Sequence, residues 1–136
     1  MSALPASLGA ITLFVDDHAR SKAFYGNVFG LEPVFEDESS VVFRLDQTLL
    51  NLLDRPAAHG LIEPAPVAGT GADAAFQLTI WVEDTDAAAA ELTSRGVSLL
   101  NGPMDREWGM RTATFRDPDG HVWEIAAELS EAGEAA

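Results

Sequence analysis

The stretch AITLFVDDHA, residues 10–19, decides how the chain is read, because it has a second copy. At an offset of 67 residues stands QLTIWVEDTD, residues 77–86. Ile11 aligns with Leu78, Thr12 with Thr79, Leu13 with Ile80, Phe14 with Trp81 and Val15 with Val82; Asp16 and Asp17 then meet Glu83 and Asp84. Each copy reads as a strand of β-branched and apolar residues, closed by acids suited to capping a following helix.

Both copies continue in the same way. In DHARSKAFYGNVFG, Phe24, Tyr25, Val28 and Phe29 recur at helical spacing, and Gly30 is placed to stop the helix. In DTDAAAAELTSRG, four alanines and Leu92 make a narrow apolar face that Gly96 closes. Three strand-like segments follow each helix: LEPVFE, SVVFRL and TLLNLLD in the first half, VSLLNG, RTATFR and HVWEIAA in the second. Asp117-Pro118-Asp119-Gly120 supplies strong turn chemistry between the last two. The expectation is a single α+β domain of two βαβββ modules, about residues 8–54 and 75–127. Residues 55–74, rich in Pro, Ala and Gly, read as a linker, and 128–136 as a frayed or loosely helical tail.

The bulk numbers narrow the function classes. A chain of 136 residues with 47% hydrophobic and 22% charged content suits one globular domain with a real core. The absence of cysteine excludes disulfides and thiolate metal sites. Eight basic against 22 acidic residues, net −14, disfavour nucleic acid as a partner. No apolar run is long enough for a membrane span, and the N-terminus lacks the basic start of a signal peptide, so a cytoplasmic location is the default expectation.

Strand alternation sorts the side chains. Ile11, Leu13 and Val15 form one aliphatic face in the first strand, as do Leu78, Ile80 and Val82 in its repeat; these faces should pack on the helices. The opposite faces mix polar and aromatic residues: Thr12 and Phe14 in one copy, Gln77, Thr79 and Trp81 in the other. In the final strand Val122, Glu124 and Ala126 share a side, and in TLLNLLD Leu49, Asn51 and Leu53 do. Asn51, Gln77 and Glu124 could therefore project into a partly apolar concavity, or each could simply face water.

The chain resembles the vicinal oxygen chelate superfamily, which includes glyoxalase I, bleomycin-resistance proteins and extradiol dioxygenases. The likeness rests on ITLFVDDHARSKAFYGNVFGLE, FQLTIWVEDTDAAAAELTSRGV and WGMRTATFRDPDGHVWEI. It implies paired βαβββ modules curling around a cavity, eight strands with a helix outside each half, and often a homodimer. It also implies four metal-ligand positions, which here hold Ala10, Asn51, Gln77 and Glu124. Only Glu124 is a good anionic ligand; Gln77 is an acceptable occupant, Asn51 a neutral amide, and Ala10 has no donor. One carboxylate and two amides leave most of a divalent charge uncompensated. The three histidines, His18, His59 and His121, stand elsewhere and read as solvated or capping residues.

The resemblance therefore points to the metal-free, bleomycin-resistance-like members: a small-molecule binding protein without a cofactor, sequestering a partly aromatic or cationic ligand. The candidate ligand-binding residues are Phe14, Asn51, Gln77, Trp81, Trp108, Arg111 and Glu124. Trp108 could wall the site and Arg111 could hold a ligand carboxylate, or both could serve the hairpin, with Arg111 paired to Asp105 or Glu107. Arg44 and Arg116 could also be rim charges, but the sequence assigns neither a role. The alternatives are a lyase or dioxygenase holding Zn, Ni, Mn, Fe or Mg through Gln77, Glu124 and Asn51, and a metal-free isomerase with Glu124 as catalytic base. No nucleophile elbow, phosphate loop or dinucleotide fingerprint competes with these readings.

Overall fold

The computed structural model describes residues 3–129. They divide into two compact units, one running to Thr70 and one beginning at Gly71. The first contains β1 (Ala10–Val15), α1 (His18–Phe29), β2 (Phe35–Glu36), β3 (Ser40–Leu45), β4 (Thr48–Asp54) and α2 (Arg55–Ile62). The second contains β5 (Gln77–Trp81), α3 (Thr85–Ser94), β6 (Leu99–Asp105), β7 (Met110–Arg116) and β8 (Val122–Glu128). Each unit holds one four-stranded sheet, ordered β1-β4-β3-β2 and β5-β8-β7-β6. The first strand of each unit lies parallel to the last, and the remaining pairings are antiparallel. The duplicated strand–helix–three-strand pattern expected from the repeat is therefore present in both units.

The caps follow the repeat. Asp17 and Asp84, equivalent at the offset of 67, are the N-caps of α1 and α3, and their carboxylates accept from Ala19 N and Ala87 N. Such a cap stabilises a helix by about 1 kcal/mol, because it satisfies an otherwise orphaned amide. Gly30 closes α1 in the left-handed conformation, its N–H donating to the Gly26 carbonyl.

Alternation then decides burial. Leu13 and Val15 of β1, Val41 and Phe43 of β3, and Leu50 and Leu52 of β4 are buried; α1 packs on β3 and β4 and contributes Tyr25 and Val28, while α2 packs on β1 and β4. In the second unit Ala113 and Phe115 of β7 and Trp123 and Ile125 of β8 are buried on the α3 side, with Ala89 and Leu92 above them. Phe115 and Trp123 stack with centroids 6.5 Å apart. Each such large side chain contributes roughly 2 kcal/mol on burial. The polar residues of the repeat lie on the opposite face of each sheet, together with the buried Leu53 in the first unit and the buried Thr112, Thr114 and Ala126 in the second.

Three expectations need correction. Residues 55–62 are a helix rather than linker: Pro56 is tolerated in the first turn, and Ala58 is fully buried. Arg55, at the start of this helix, pairs with Asp16, donates to the Ala68 carbonyl at 2.7 Å and to Thr70, and so fastens the segment to the end of β1. LEPVFE yields only the two-residue β2, and β6 begins two residues later than VSLLNG and extends to Asp105. The tail expectation falls mostly on residues 130–136, outside the described part; Glu128 closes β8, and Leu129 N donates to Gly109 O at 2.9 Å.

Candidate functional site

The faces opposite α1 and α3 can be followed row by row, because Cα partners on neighbouring strands share a face. In the first unit, Thr12 of β1 lies opposite Asn51 of β4, which lies opposite Val42 of β3. In the second, Thr79 of β5 lies opposite Glu124 of β8, which lies opposite Thr114 of β7. Thr12 and Thr79 are repeat equivalents, so Asn51 and Glu124 occupy the same place in their units.

Both rows are hydrogen-bonded within themselves. Asn51 Nδ2 donates to Thr12 Oγ1 at 3.4 Å, while Thr79 Oγ1 donates to Glu124 Oε1 at 2.9 Å. The Asn51 Oδ1 and Thr114 Oγ1 atoms are buried and accept or donate no hydrogen bond. Buried polar atoms without partners are uncommon and cost stability, so these two are the unsatisfied positions of their rows. Glu124 is half-buried, and among the described residues Thr79 is its only side-chain partner, which leaves Oε2 open.

The remaining candidates separate by face. Phe14 lies on the Asn51 face of the first unit and is half-buried. Gln77 and Trp81 lie on the Glu124 face, opposite Val122 and Ala126; Gln77 is exposed and Trp81 is 74% exposed, its ring available for stacking. Trp108, 68% exposed, occupies the turn between β6 and β7, a turn closed by Gly109 N donating to Arg106 O at 3.1 Å.

Arg111 is placed differently from a ligand-holding residue on that face. It pairs across β7–β8 with Ala127, an odd step from Glu124, and so lies on the α3 side. There its Nε and Nη2 donate to Asp86 at 2.9 and 3.1 Å, and its Nη1 donates to Asp105 at 2.8 Å. Those bonds hold the guanidinium firmly charged and lower the Asp86 carboxyl below its usual range, chiefly through the hydrogen bond from Arg111. Of the two carboxylates expected as partners for Arg111, Asp105 is one; the other is Asp86 rather than Glu107. Arg44 and Arg116 are exposed.

Sequence reading missed Arg106. Its side chain turns to the Glu124 side, where Nε donates to Thr112 Oγ1 at 2.9 Å and the guanidinium carbon lies 5.8 Å from the Trp108 ring centroid. A signal was available: a hairpin folding at Trp108-Gly109 pairs Asp105 with Arg111, so Arg106 must point to the other face from Arg111.

The histidines are engaged by carboxylates. His18 Nδ1 lies 2.8 Å from Asp54 Oδ2, and His121 Nδ1 lies 2.8 Å from Asp117 Oδ2. His59 lies in α2. Among the described residues no group of three or more His, Asp or Glu side chains is arranged to hold a metal ion. Of the four positions implied as ligands, the first unit offers Ala10 and Asn51, and the second offers Gln77 and Glu124.

Two βαβββ units, each with one face under a helix and one carrying a short polar row, define a duplicated-module protein. The chain belongs to the Glyoxalase/Bleomycin resistance protein/Dioxygenase superfamily, whose family model matches residues 7–125. It is 35% identical over 120 residues to the uncharacterized protein YraH of Bacillus subtilis strain 168, an alignment covering 85% of this chain and 93% of that one. Among solved structures it is similar to a glyoxalase-related enzyme from Fulvimarina pelagi, at 26% identity and TM-score 0.77, covering 91% of this chain and 89% of the other. It also shares its fold with a lactoylglutathione lyase from Agrobacterium tumefaciens, at 22% identity and TM-score 0.74, covering 91% and 95%.

Proposed function

We propose that the protein is a small-molecule binding protein of the bleomycin-resistance type, which sequesters a partly aromatic or cationic ligand and works without a metal, as a homodimer. The observation that carries this reading is the state of Glu124. Its carboxylate is half-buried on the face opposite α3, steadied through Oε1 by Thr79 and open at Oε2, with the exposed Trp81 ring two residues along the neighbouring strand. A carboxylate held in this way accepts a charge-assisted hydrogen bond from an ammonium or amide donor, while an indole face receives an aromatic body.

The donor chemistry supports the metal-free part. Divalent cations draw affinity from several carboxylates or imidazoles, and the implied positions supply one carboxylate, two amides and an alanine. The imidazoles of His18 and His121 already face the carboxylates of Asp54 and Asp117.

Tryptamine, an aromatic cation, is a suitable probe. Calorimetric titration and thermal shift should both detect it with the full chain, since a ligand specific for the folded state raises the melting temperature by mass action. Glu124→Gln should weaken it about tenfold, the loss of one charge-assisted bond. Size-exclusion chromatography with light scattering reads the dimer directly. A near-stoichiometric divalent metal retained on purification without chelators, whose removal abolishes a turnover, would overturn the reading.

A further inference from the structure

Arg106 stands between two acids in the sequence, Asp105 and Glu107, yet its side chain joins neither. Its Nε donates to the Thr112 hydroxyl at 2.9 Å, and its guanidinium lies over the Trp108 ring at 5.8 Å. Elsewhere in the same unit Arg95 is paired with Glu91, and Arg111 with Asp86 and Asp105. Among the described residues no carboxylate pairs with Arg106, although the chain carries a net charge of −14. A hydroxyl and an indole face leave its Nη1 and Nη2 groups free to donate.

The register puts this cation on the Glu124 face. Thr112 lies opposite Ala126, and Thr114 lies opposite Glu124. Two residues along β7 separate the rows by about 7 Å. Thr114 Oγ1, buried and without a hydrogen-bond partner, belongs to the Glu124 row. The face thus carries an open acceptor at Glu124, an unsatisfied hydroxyl at Thr114, and an uncommitted guanidinium one row away.

We propose that Arg106 is the specificity-determining residue of this face, receiving a carboxylate of the ligand whose donor end meets Glu124. This rests on the binding reading given above and narrows it. The ligand class becomes an aromatic molecule with a hydrogen-bond donor at one end and an anionic group roughly 7 Å away. A planar guanidinium presents two parallel donors to a carboxylate, and the Trp108 ring beneath it limits the freedom lost on binding.

The test uses indole-3-propionate and its uncharged amide, indole-3-propionamide, titrated calorimetrically into the full chain. The wild-type protein should bind the carboxylate about tenfold more tightly than the amide, the worth of a hydrogen bond to a charged group. Arg106→Gln should bring that ratio to about one, and Arg106→Lys, which keeps charge without the fork, should restore only part of it. A purely structural role would lower the melting temperature of Arg106→Gln but leave the ratio intact. Equal binding of the two probes by the wild-type chain, a preference that survives Arg106→Gln, or no binding of indole-3-propionate at millimolar concentration would overturn the proposal. The tryptamine titration reads Glu124 separately: tryptamine bound by the wild-type chain but weakly by Glu124→Gln keeps the binding reading standing even when the propionate arm fails.

Discussion

Thr79 and Glu124 lie directly opposite one another on parallel strands, joined by a 2.9 Å hydrogen bond from hydroxyl to carboxylate. The repeat places Thr12 and Asn51 in the same relation, with the amide as donor and the hydroxyl as acceptor. The two units therefore share a scaffold position but differ in its chemistry, an amide in one and a carboxyl group in the other, and the carboxyl group is the one proposed to meet a ligand.

Thr79→Val keeps the shape of the side chain and removes the donor. The part-buried carboxylate then loses its one fixed hydrogen bond, which should cost about 1 kcal/mol in urea unfolding and weaken tryptamine binding severalfold, because Oε2 is no longer steadied. Thr79→Ser should recover most of both effects.

Gly102 interrupts β6, where the pairing with β7 shifts register on both sides of Asn101. Its φ is +85°, and an added Cβ would lie 2.4 Å from Thr112 O and 2.7 Å from Ala113 Cα. Gly102→Ala meets strain and overlap together, so stability should fall by about 3 kcal/mol or more, read as a lower urea midpoint. The close approach also sets the backbone of Thr112, so any folded Gly102→Ala protein should discriminate less between indole-3-propionate and its amide.

Asp117 anchors the turn into β8. Its buried carboxylate accepts from Asp119 N at 3.0 Å and His121 N at 2.8 Å, and its Oδ2 lies 2.8 Å from His121 Nδ1. Asp117→Ala leaves several buried donors unsatisfied at once and should cost about 3 kcal/mol, with Asp117→Asn losing less because one amide oxygen can still accept. Thermal and urea unfolding measure the difference.

Asp16, Asp37 and Asp86 all have carboxyl groups lowered below the ordinary value of 3.8. The largest causes are the Thr70 hydroxyl for Asp16, the Ser39 amide for Asp37 and the Arg111 guanidinium for Asp86. Each group ionises more readily folded than unfolded. Its stabilisation is fully present above the unfolded value and is lost as pH falls from about 3.8 through the lower folded value. The melting temperature should accordingly hold steady between pH 7 and 5 and drop below pH 4. Asp86→Asn should start lower and show a shallower acid decline.

Much of the architecture was legible before any coordinates. The spans of β3 and β4, the two equivalent caps at Asp17 and Asp84, and the burial of Leu13 and Val15 all follow from patterns contained within a few residues. Short-range sterics, capping and the two-residue pleat act locally, so a linear reading can capture them. The helix at 55–62 was hidden because Pro56 and Gly60 punctuate it, and its buried Ala58 and the Arg55–Asp16 pair depend on contacts with β1 and β4.

What the linear order determined by itself was the duplication and the face on which Glu124, Gln77 and Trp81 stand, because side-chain alternation is a property of each strand alone. What only the tertiary structure decided was the company those residues keep. Thr79 and Glu124 are 45 residues apart and meet through a parallel pairing whose register no local pattern specifies. Arg111 and Arg106, five residues apart, are sent to opposite faces by the turn at Trp108 and Gly109, one to the carboxylates of Asp86 and Asp105, the other to a hydroxyl and an indole. Register and turn geometry are set by packing between segments distant in the chain, and that packing exists only once the sheets have formed.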